Sequence, residues 1–290
     1  IDMDSFTSSS AADGNRATTS LMVGGIDMMG LAQAQRMNTD IRRQIFSTIM
    51  SSSDYMDAFE RTMKLNLREK QEREIVYVLL SCCEDEPTYN PFYSHVAHKL
   101  CTTLPRFKFT FQLAFWDRFK LLTDSTEDVA ELSKICHAAR LLSFLLVRFS
   151  LSLAMLKVVD FGNDMKDDAL MFFHEMCSTM FTDPLCVGED DDVGIERMDA
   201  GRQGPTFNRI RKVFTRIGTS TEHQLVRSGL SYFIKTHVVD RLSRQIKRLK
   251  SGKSGSSNKK ERKREWFDCV LKRRRAKAAL SCLDKVTLDF

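Results

Sequence analysis

Proline is scarce in this chain of 290 residues, with 5 in all, and glycine is held to 13. Both residues interrupt helices, one by losing its N–H and one by its backbone freedom, so their scarcity leaves long stretches free to stay helical. The Val/Ile/Thr alternation of half-buried strands is almost missing, which argues against a β-rich fold. No apolar run reaches the roughly 18 residues that cross a bilayer, so no membrane partner is expected. The first residues lack the basic start and apolar stretch of a secretory signal. The 8 cysteines form no Cys-x-x-Cys pair and no Cys/His spacing of a zinc site. Buried thiols in a reducing compartment are the expectation, with no metal and no cofactor. Ser251-Gly252-Lys253-Ser254-Gly255 lacks the preceding strand and the spacing of a phosphate cradle.

What is present is a 42% apolar content and 20 Phe, enough for a buried core. From Ile41 the apolar residues Ile45, Phe46, Ile49 and Met50 recur at helical spacing. Ser51-Ser52-Ser53-Asp54 then supplies a turn and an N-cap for a second helix with Tyr55, Phe59 and Met63 on its stripe. Two helices joined by about four residues run antiparallel. Gln71 to Cys83 follows with Ile75, Val78, Leu79 and Cys82 as a single stripe flanked by Glu72, Arg73 and Glu74. Pro87 and Pro91 break the helix before a new one that turns Phe92, Val96, Ala97 and Leu100 inward. After Pro105, Phe107, Phe111, Phe115 and Phe119 fall at i+4 spacing with Trp116 beside them, a ladder that suits core packing.

These blocks resemble a family. Arg36 to Phe46, Gln71 to Ile75, Cys82-Cys83, Thr88 to Tyr93 and Phe111 to Asp117 are similar to the MI (MA-3) domain of the nucleolar MIF-4G-domain proteins of ribosome assembly. Ser150 to Phe161 extends the likeness past the domain core, and a spliceosomal MIF-4G/MI relative is similar but less so around Asn90 to Tyr93. The resemblance implies an all-α fold of stacked antiparallel hairpins, a HEAT-like superhelix, with a MIF-4G domain upstream in the family. Residues 1–36, Ser/Thr/Ala/Gly-rich and starting without Met, read as a linker in a fragment of such a protein, in which Met22 to Gly30 can dock as an extended segment. Residues 37–122 read as the MI core and 123–240 as continuing hairpins in one stack.

In that second part Val129 to Phe149 reads as a buried helix through Leu132, Ile135, Cys136, Ala139, Leu142, Phe144, Leu145 and Leu146. Asp167 to Phe181 is another, with Leu170, Phe173, His174 and Cys177 inward. Residues 184–205, with Glu189, Asp190, Asp191, Asp192 and Glu196, read as an exposed acidic loop. Helix resumes at Phe207 to Ile217 and Gln224 to Val239. Residues 241–290 then read as a basic tail in which Glu265 to Val286 can form a helix with Trp266, Phe267, Val270, Leu271, Leu280 and Leu283 on its apolar side. Arg241 to Lys277 holds 16 Lys and Arg against Glu261, Glu265 and Asp268, a net of +13; the whole chain is +6, so the remainder carries −7.

His95, His98 and Cys101 sit close in sequence, but no carboxylate base, oxyanion loop or fourth ligand goes with them, and a helix with a partly buried histidine is the plainer reading. Asp54, Asp57 and Glu60 lie at the first turn and along the second helix. Solvated charge is the ordinary role of such residues. The resemblance adds another, since MI domains bind helicases of the initiation-factor-4A type through acidic hairpin edges; reversing Asp54 and Asp57 to Lys is then expected to leave the fold intact. Lys259, Lys260, Arg262, Lys263 and Arg264 form one cationic block, and Lys272, Arg273, Arg274, Arg275 and Lys277 a second. Both suit RNA phosphate or importin, and a solubilising tail is the plain alternative.

Taken with the resemblance, these features lead to a non-catalytic scaffold of small-subunit ribosome assembly in the nucleus and nucleolus. Its expected partners are a DEAD-box RNA helicase, pre-ribosomal RNA, small-subunit assembly proteins and importin. A splicing adaptor of the same build is the alternative. An enzyme would need a pocket of convergent titratable groups, which the sequence does not offer.

Overall fold

The computed structural model describes residues 22–23, 26–27, 38–124, 131–162, 164–182, 207–218, 221–251 and 259–284. The acidic stretch expected at 184–205 and most of the 1–36 linker lie outside the described residues. Within the linker, β1 (Met22–Val23) pairs antiparallel with β2 (Ile26–Asp27). Every other regular element among the described residues is helical, so the all-α expectation holds.

Helix α1 (Asp40–Met50) starts at Thr39, whose hydroxyl accepts from the Arg42 N–H at 3.2 Å. Residues Ile45, Phe46 and Ile49 are buried, whereas Met50, expected inward, is 38% exposed at the helix end. In α2 (Tyr55–Met63) the buried residues are Ala58 and Thr62. The expected stripe of Tyr55, Phe59 and Met63 instead lies on the flanks of that contact, because α2 approaches α1 and the later helix α4 (Pro91–Thr103) closely over its small residues. Helix α3 (Glu69–Asp85) buries Val76, Leu80 and Cys83 as well as Ile75, Val78, Leu79 and Cys82. It is a central helix with two covered faces rather than the single stripe expected, and it packs on α1, on α4 (Pro91–Thr103), on α5 (Arg106–Asp124) and on α6 (Leu132–Val147).

Four acids of α3 are tied to three of those neighbours. Glu74 pairs with Arg42 of α1 at 2.6 Å, Glu72 with Arg106 of α5 at 2.8 Å, Asp85 with Lys134 of α6 at 2.8 Å, and Glu84 with Arg118 of α5. The three more exposed pairs add little stability each, so their main effect is to fix helix register, while Arg118 and Glu84 are the most covered of the four. In α5 the ladder is as expected: Phe107, Phe111, Phe115 and Phe119 are all at most 4% exposed. Trp116 anchors the next connection by donating its indole N–H to the Met155 carbonyl at 2.7 Å.

Helix α6 buries Ile135, the Ala138–Ala139 pair and the whole run 141–147. Its first residue, Leu132, expected inside, is 55% exposed because the helix begins beyond the edge of its neighbours. A 3₁₀ turn (Leu153–Val158) leads to α7 (Asp167–Thr182), which packs along α6. There Phe173 and Cys177 are buried as expected, while Leu170 and His174 are half-buried. Phe119, Phe161, Phe172, Phe173 and Phe233 then form a chain of ring contacts with centroids 5.1–5.6 Å apart. Gly229 lets this cluster close, since a Cβ there would lie 3.2 Å from the Phe161 ring.

Beyond α8 (Asn208–Gly218) and α9 (Gln224–Phe233), the chain passes through a π-helical segment (Ile234–Val239) straight into α10 (Asp240–Lys250). Finally α11 (Lys259–Asp284) folds back onto α7, α8 and α10. The expected basic tail is therefore part of the packed fold in these two helices. Burial of Leu242, Ile246 and Leu249 in α10, and of Cys269, Ala276, Ala279, Cys282 and Leu283 in α11, holds them in place. Trp266, Phe267, Val270, Leu271 and Leu280 are half-buried around that seam.

Truncating Phe115 to Ala should cost about 3–5 kcal/mol, by lost transfer energy and the cavity left behind. Phe109, in the same helix but 58% exposed, should tolerate Ala within about 0.5 kcal/mol. Equal losses in urea melts of the two variants would show the ladder facing the wrong way.

Candidate functional site

The candidate surfaces are built from charged side chains on helix edges, so the question for each is whether the fold already uses it. At the α1–α2 turn it does. Asp54 is the N-cap of α2, accepting from the Met56 and Asp57 N–H groups at 2.8 Å each. Asp57 reaches back to accept from the Ser53 N–H at 3.0 Å, and it lies 3.6 Å from Arg61 one turn on. Arg61 in turn donates to the carbonyl and hydroxyl oxygens of Ser51, both at 2.9 Å. The Ser53 N–H, first among the causes, holds the Asp57 carboxyl below the ordinary carboxylate range. A depressed carboxylate favours the fold while ionised, so this contact weakens as pH falls through that range.

Asp54 and Asp57 thus satisfy free N–H groups at a helix start. The expectation that both can be reversed to Lys without touching the fold is corrected by these bonds. Glu60 differs. It is exposed on the outer side of α2, and its carboxylate has no partner among the described residues. It shares a helix edge with Asp57 by its i, i+3 spacing.

The cationic blocks are divided in the same way. Arg275 is 3% exposed, donates through Nη1 to the Phe181 carbonyl at 2.9 Å and sits 5.8 Å from the Phe207 ring centroid. Its guanidinium closes the C-terminal end of α7, so it is withdrawn from the expected RNA or importin surface. Lys272 donates to the Ser178 hydroxyl at 2.7 Å, and burial pulls its pKa down. Arg273 reaches Ser243 of α10 at 3.5 Å. Lys260, Lys263, Arg264, Arg274 and Lys277 stay exposed on α11, and Arg262 is half-buried. Lys259 opens the helix. Outside these blocks, α10 carries Arg241, Arg244 and Arg248 on its open side. Their i, i+3, i+7 spacing opposite Leu242, Ile246 and Leu249 was the available signal, hidden when the segment is read only as a charge count.

Residues 41–148 match the MA3 domain family. The chain carries an MA3 domain. Further similarity runs beyond it. Nucleolar MIF4G domain-containing protein 1 of Mus musculus is 38% identical over 207 residues, 71% of this chain and 21% of that protein. Suppressor of glycerol defect protein 1 of Saccharomyces cerevisiae is 29% identical over 275 residues, 88% of this chain and 29% of that protein. More distantly, pre-mRNA-splicing factor CWC22 of Mycosarcoma maydis is 27% identical over 125 residues, 43% of this chain and 14% of that protein. The chain thus corresponds to about a fifth of the mouse relative's length. The resemblance read from the sequence is borne out, and the MA3 match takes in α6 as well as residues 41–122 of the expected core.

Within the MA3 domain the nucleophile and metal-type residues serve packing. His95 lies between the Tyr55 and Phe144 rings, at 5.3 and 4.9 Å, and His98 Nδ1 is 2.6 Å from the Ser150 hydroxyl. Burial first and the Arg148 charge second lower both pKa values. Burial likewise pushes the Cys101 thiol up to about 12 and raises Cys82 and Cys83 far above the thiol range, which disfavours the reactive thiolate. No group of three or more His, Cys, Asp or Glu among the described residues is placed to hold a metal ion.

Removing the α2 cap by Asp54→Ala should cost about 0.5–2 kcal/mol, whereas Glu60→Lys should stay within about 0.5 kcal/mol. Thermal melts of the pair decide this, and equal stabilities would deny the turn its structural role. In α11, Arg275→Gln should destabilise by about 1.5–3 kcal/mol through loss of a charge-assisted bond to a buried carbonyl. Lys277→Gln should be near neutral, and a melt showing the reverse order would misplace the helix register.

Proposed function

We propose that the chain is part of a non-catalytic scaffold for small-subunit ribosome assembly in the nucleolus. Its MA3 domain engages a DEAD-box helicase of the initiation-factor-4A type, and its basic C-terminal helices contact pre-ribosomal RNA and assembly proteins. The observation that carries this reading is the 38% identity to nucleolar MIF4G domain-containing protein 1 over 71% of the chain, well beyond the 41–148 match. The architecture supports it, because stacked helical hairpins expose broad surfaces and need no active site. Lys260, Lys263 and Arg264, exposed together on α11, also suit an importin.

For the helicase, the acidic edge of α2 is the proposed contact, with Glu60 as its uncommitted charge and Asp54 and Asp57 shaping the turn beside it. A helicase core presents cations for RNA, and an acidic edge steers and registers such a partner. The similarity to pre-mRNA-splicing factor CWC22 over 43% of the chain supports a second reading, a splicing adaptor of the same build.

Affinity purification from nuclear extract separates the two: co-purifying pre-ribosomal proteins support the first reading, and spliceosomal proteins the second. For the edge itself, Glu60→Lys should lower affinity for an initiation-factor-4A-type helicase core by about tenfold, as like charges face each other across the contact. Titration calorimetry measures this with the fold intact. Wild-type affinity in the variant would remove Glu60 from the interface, and no binding by the unmutated chain would remove the helicase from the MA3 domain.

A further inference from the structure

Helix α7, the π-helical segment and α10 enclose a cleft of about 590 Å³ lined by His174, His237, Arg241, Arg244, Gln245 and Arg248. Leu170 is the one aliphatic residue of the lining. The sequence explains how the cations come to line it. Leu242, Ile246 and Leu249 bury one stripe of α10, which turns Arg241, Arg244 and Arg248 to the opposite side. At 1.5 Å per residue the three guanidiniums are spread along about 10 Å of one helix edge.

These charges are not used by the fold. Arg241 and Arg248 form no ion pair among the described residues, and Arg244 donates only to the Asp240 carbonyl of its own helix, at 3.4 Å. Of the acids nearby, Glu265 accepts from the Gln245 amide at 3.1 Å, Glu175, next to His174, pairs with Arg140 at 2.8 Å, and Asp240 is exposed at the first residue of α10, outside the cleft lining. The π-helical stretch contributes His237, whose ring stacks on Phe233 at a centroid distance of 5.0 Å. Local π-helix often marks a functional position, because the looser turn re-aims side chains.

We propose that this cleft binds the phosphodiester backbone of single-stranded RNA, with Arg241, Arg244 and Arg248 tracking successive phosphates and His174 and His237 lining the wall where bases lie. The proposal rests on the reading that the chain contacts RNA, and it moves the main contact from α11 to the α7–α10 cleft. A linear row of cations beside ring-bearing residues is the arrangement that follows a single strand. An acidic protein segment fits less well, since the lining is mostly polar and Leu170 is the one aliphatic residue to receive its side chains.

The test is fluorescence anisotropy of an unstructured RNA oligonucleotide with the full chain across a salt series. The Arg241→Gln, Arg244→Gln, Arg248→Gln triple variant should lose affinity at least about tenfold. Its slope of log affinity against log salt should flatten by about 2, near 0.7 for each single-strand phosphate contact removed. The triple Lys variant should keep most of that slope, which separates lost charge from lost folding. A Lys263→Gln, Arg264→Gln, Lys277→Gln variant should change the slope less than the cleft variant. If instead that α11 variant loses the slope and the cleft variant keeps it, the cleft is wrong while RNA binding stands. No RNA binding by the unmutated chain overturns both. Loss of binding to a poly-glutamate peptide without loss of RNA binding would assign the cleft to an acidic protein and overturn the proposal.

Discussion

Helix α6 is the constraint on which the rest of the molecule depends. A helix that is apolar nearly all round must be covered on both sides. The α3 and α4 helices cover one side and α7 the other. Inside this sandwich the Ser143 hydroxyl lies 2.7 Å from the Ala139 carbonyl and 2.9 Å from the Met176 carbonyl of α7, fully buried. A buried hydroxyl left without a partner is costly, so this contact favours one register of α7 on α6 and disfavours a one-turn slip. The MA3 domain and the helices after it are joined through this shared core and through the Phe119–Phe173–Phe233 ring contacts.

Large side chains at regular spacing made much of the fold legible. The Phe107 to Phe119 ladder and the apolar run of α6 leave few ways to place their helices. Small residues were harder to read. Ala58 and Thr62 in α2, and Ala276 and Ala279 in α11, are buried because helices approach most closely where side chains are short. A hydrophobic stripe drawn through Tyr55, Phe59 and Met63 therefore misses the contact it flanks. In α11 the error was larger, since a dense run of Lys and Arg conceals a seam of alanine and cysteine beneath it.

Charge at a helix start is similarly ambiguous in sequence. An aspartate there can meet a partner or cap its own backbone, and only the position of the N–H groups distinguishes the two. Asp54 and Asp57 cap; Glu60, three residues later, has no free N–H within reach because the helix has already closed its bonds. Arg275 and Lys277 make the matching case at the basic end. Their neighbours in sequence are similar, but one faces the orphan carbonyls at the end of α7 and the other faces solvent.

The proposed acidic and basic contacts also sit at opposite ends of the packing order. From α2 the contacts run to α4, then α6, then α7, and from α7 to the π-helical segment that continues into α10. Four helix spacings of about 8–10 Å separate the ends, up to about 40 Å along a straight path. Screening at physiological salt acts over about 8 Å, so at such a separation neither surface neutralises the other. Four acids of α3 between them, Glu72, Glu74, Glu84 and Asp85, are already matched to Arg106, Arg42, Arg118 and Lys134, which removes them from the long-range field. On the two proposals made above, the acidic edge and the basic cleft are separate surfaces, so a cationic protein and a polyanion would not compete for the same charge.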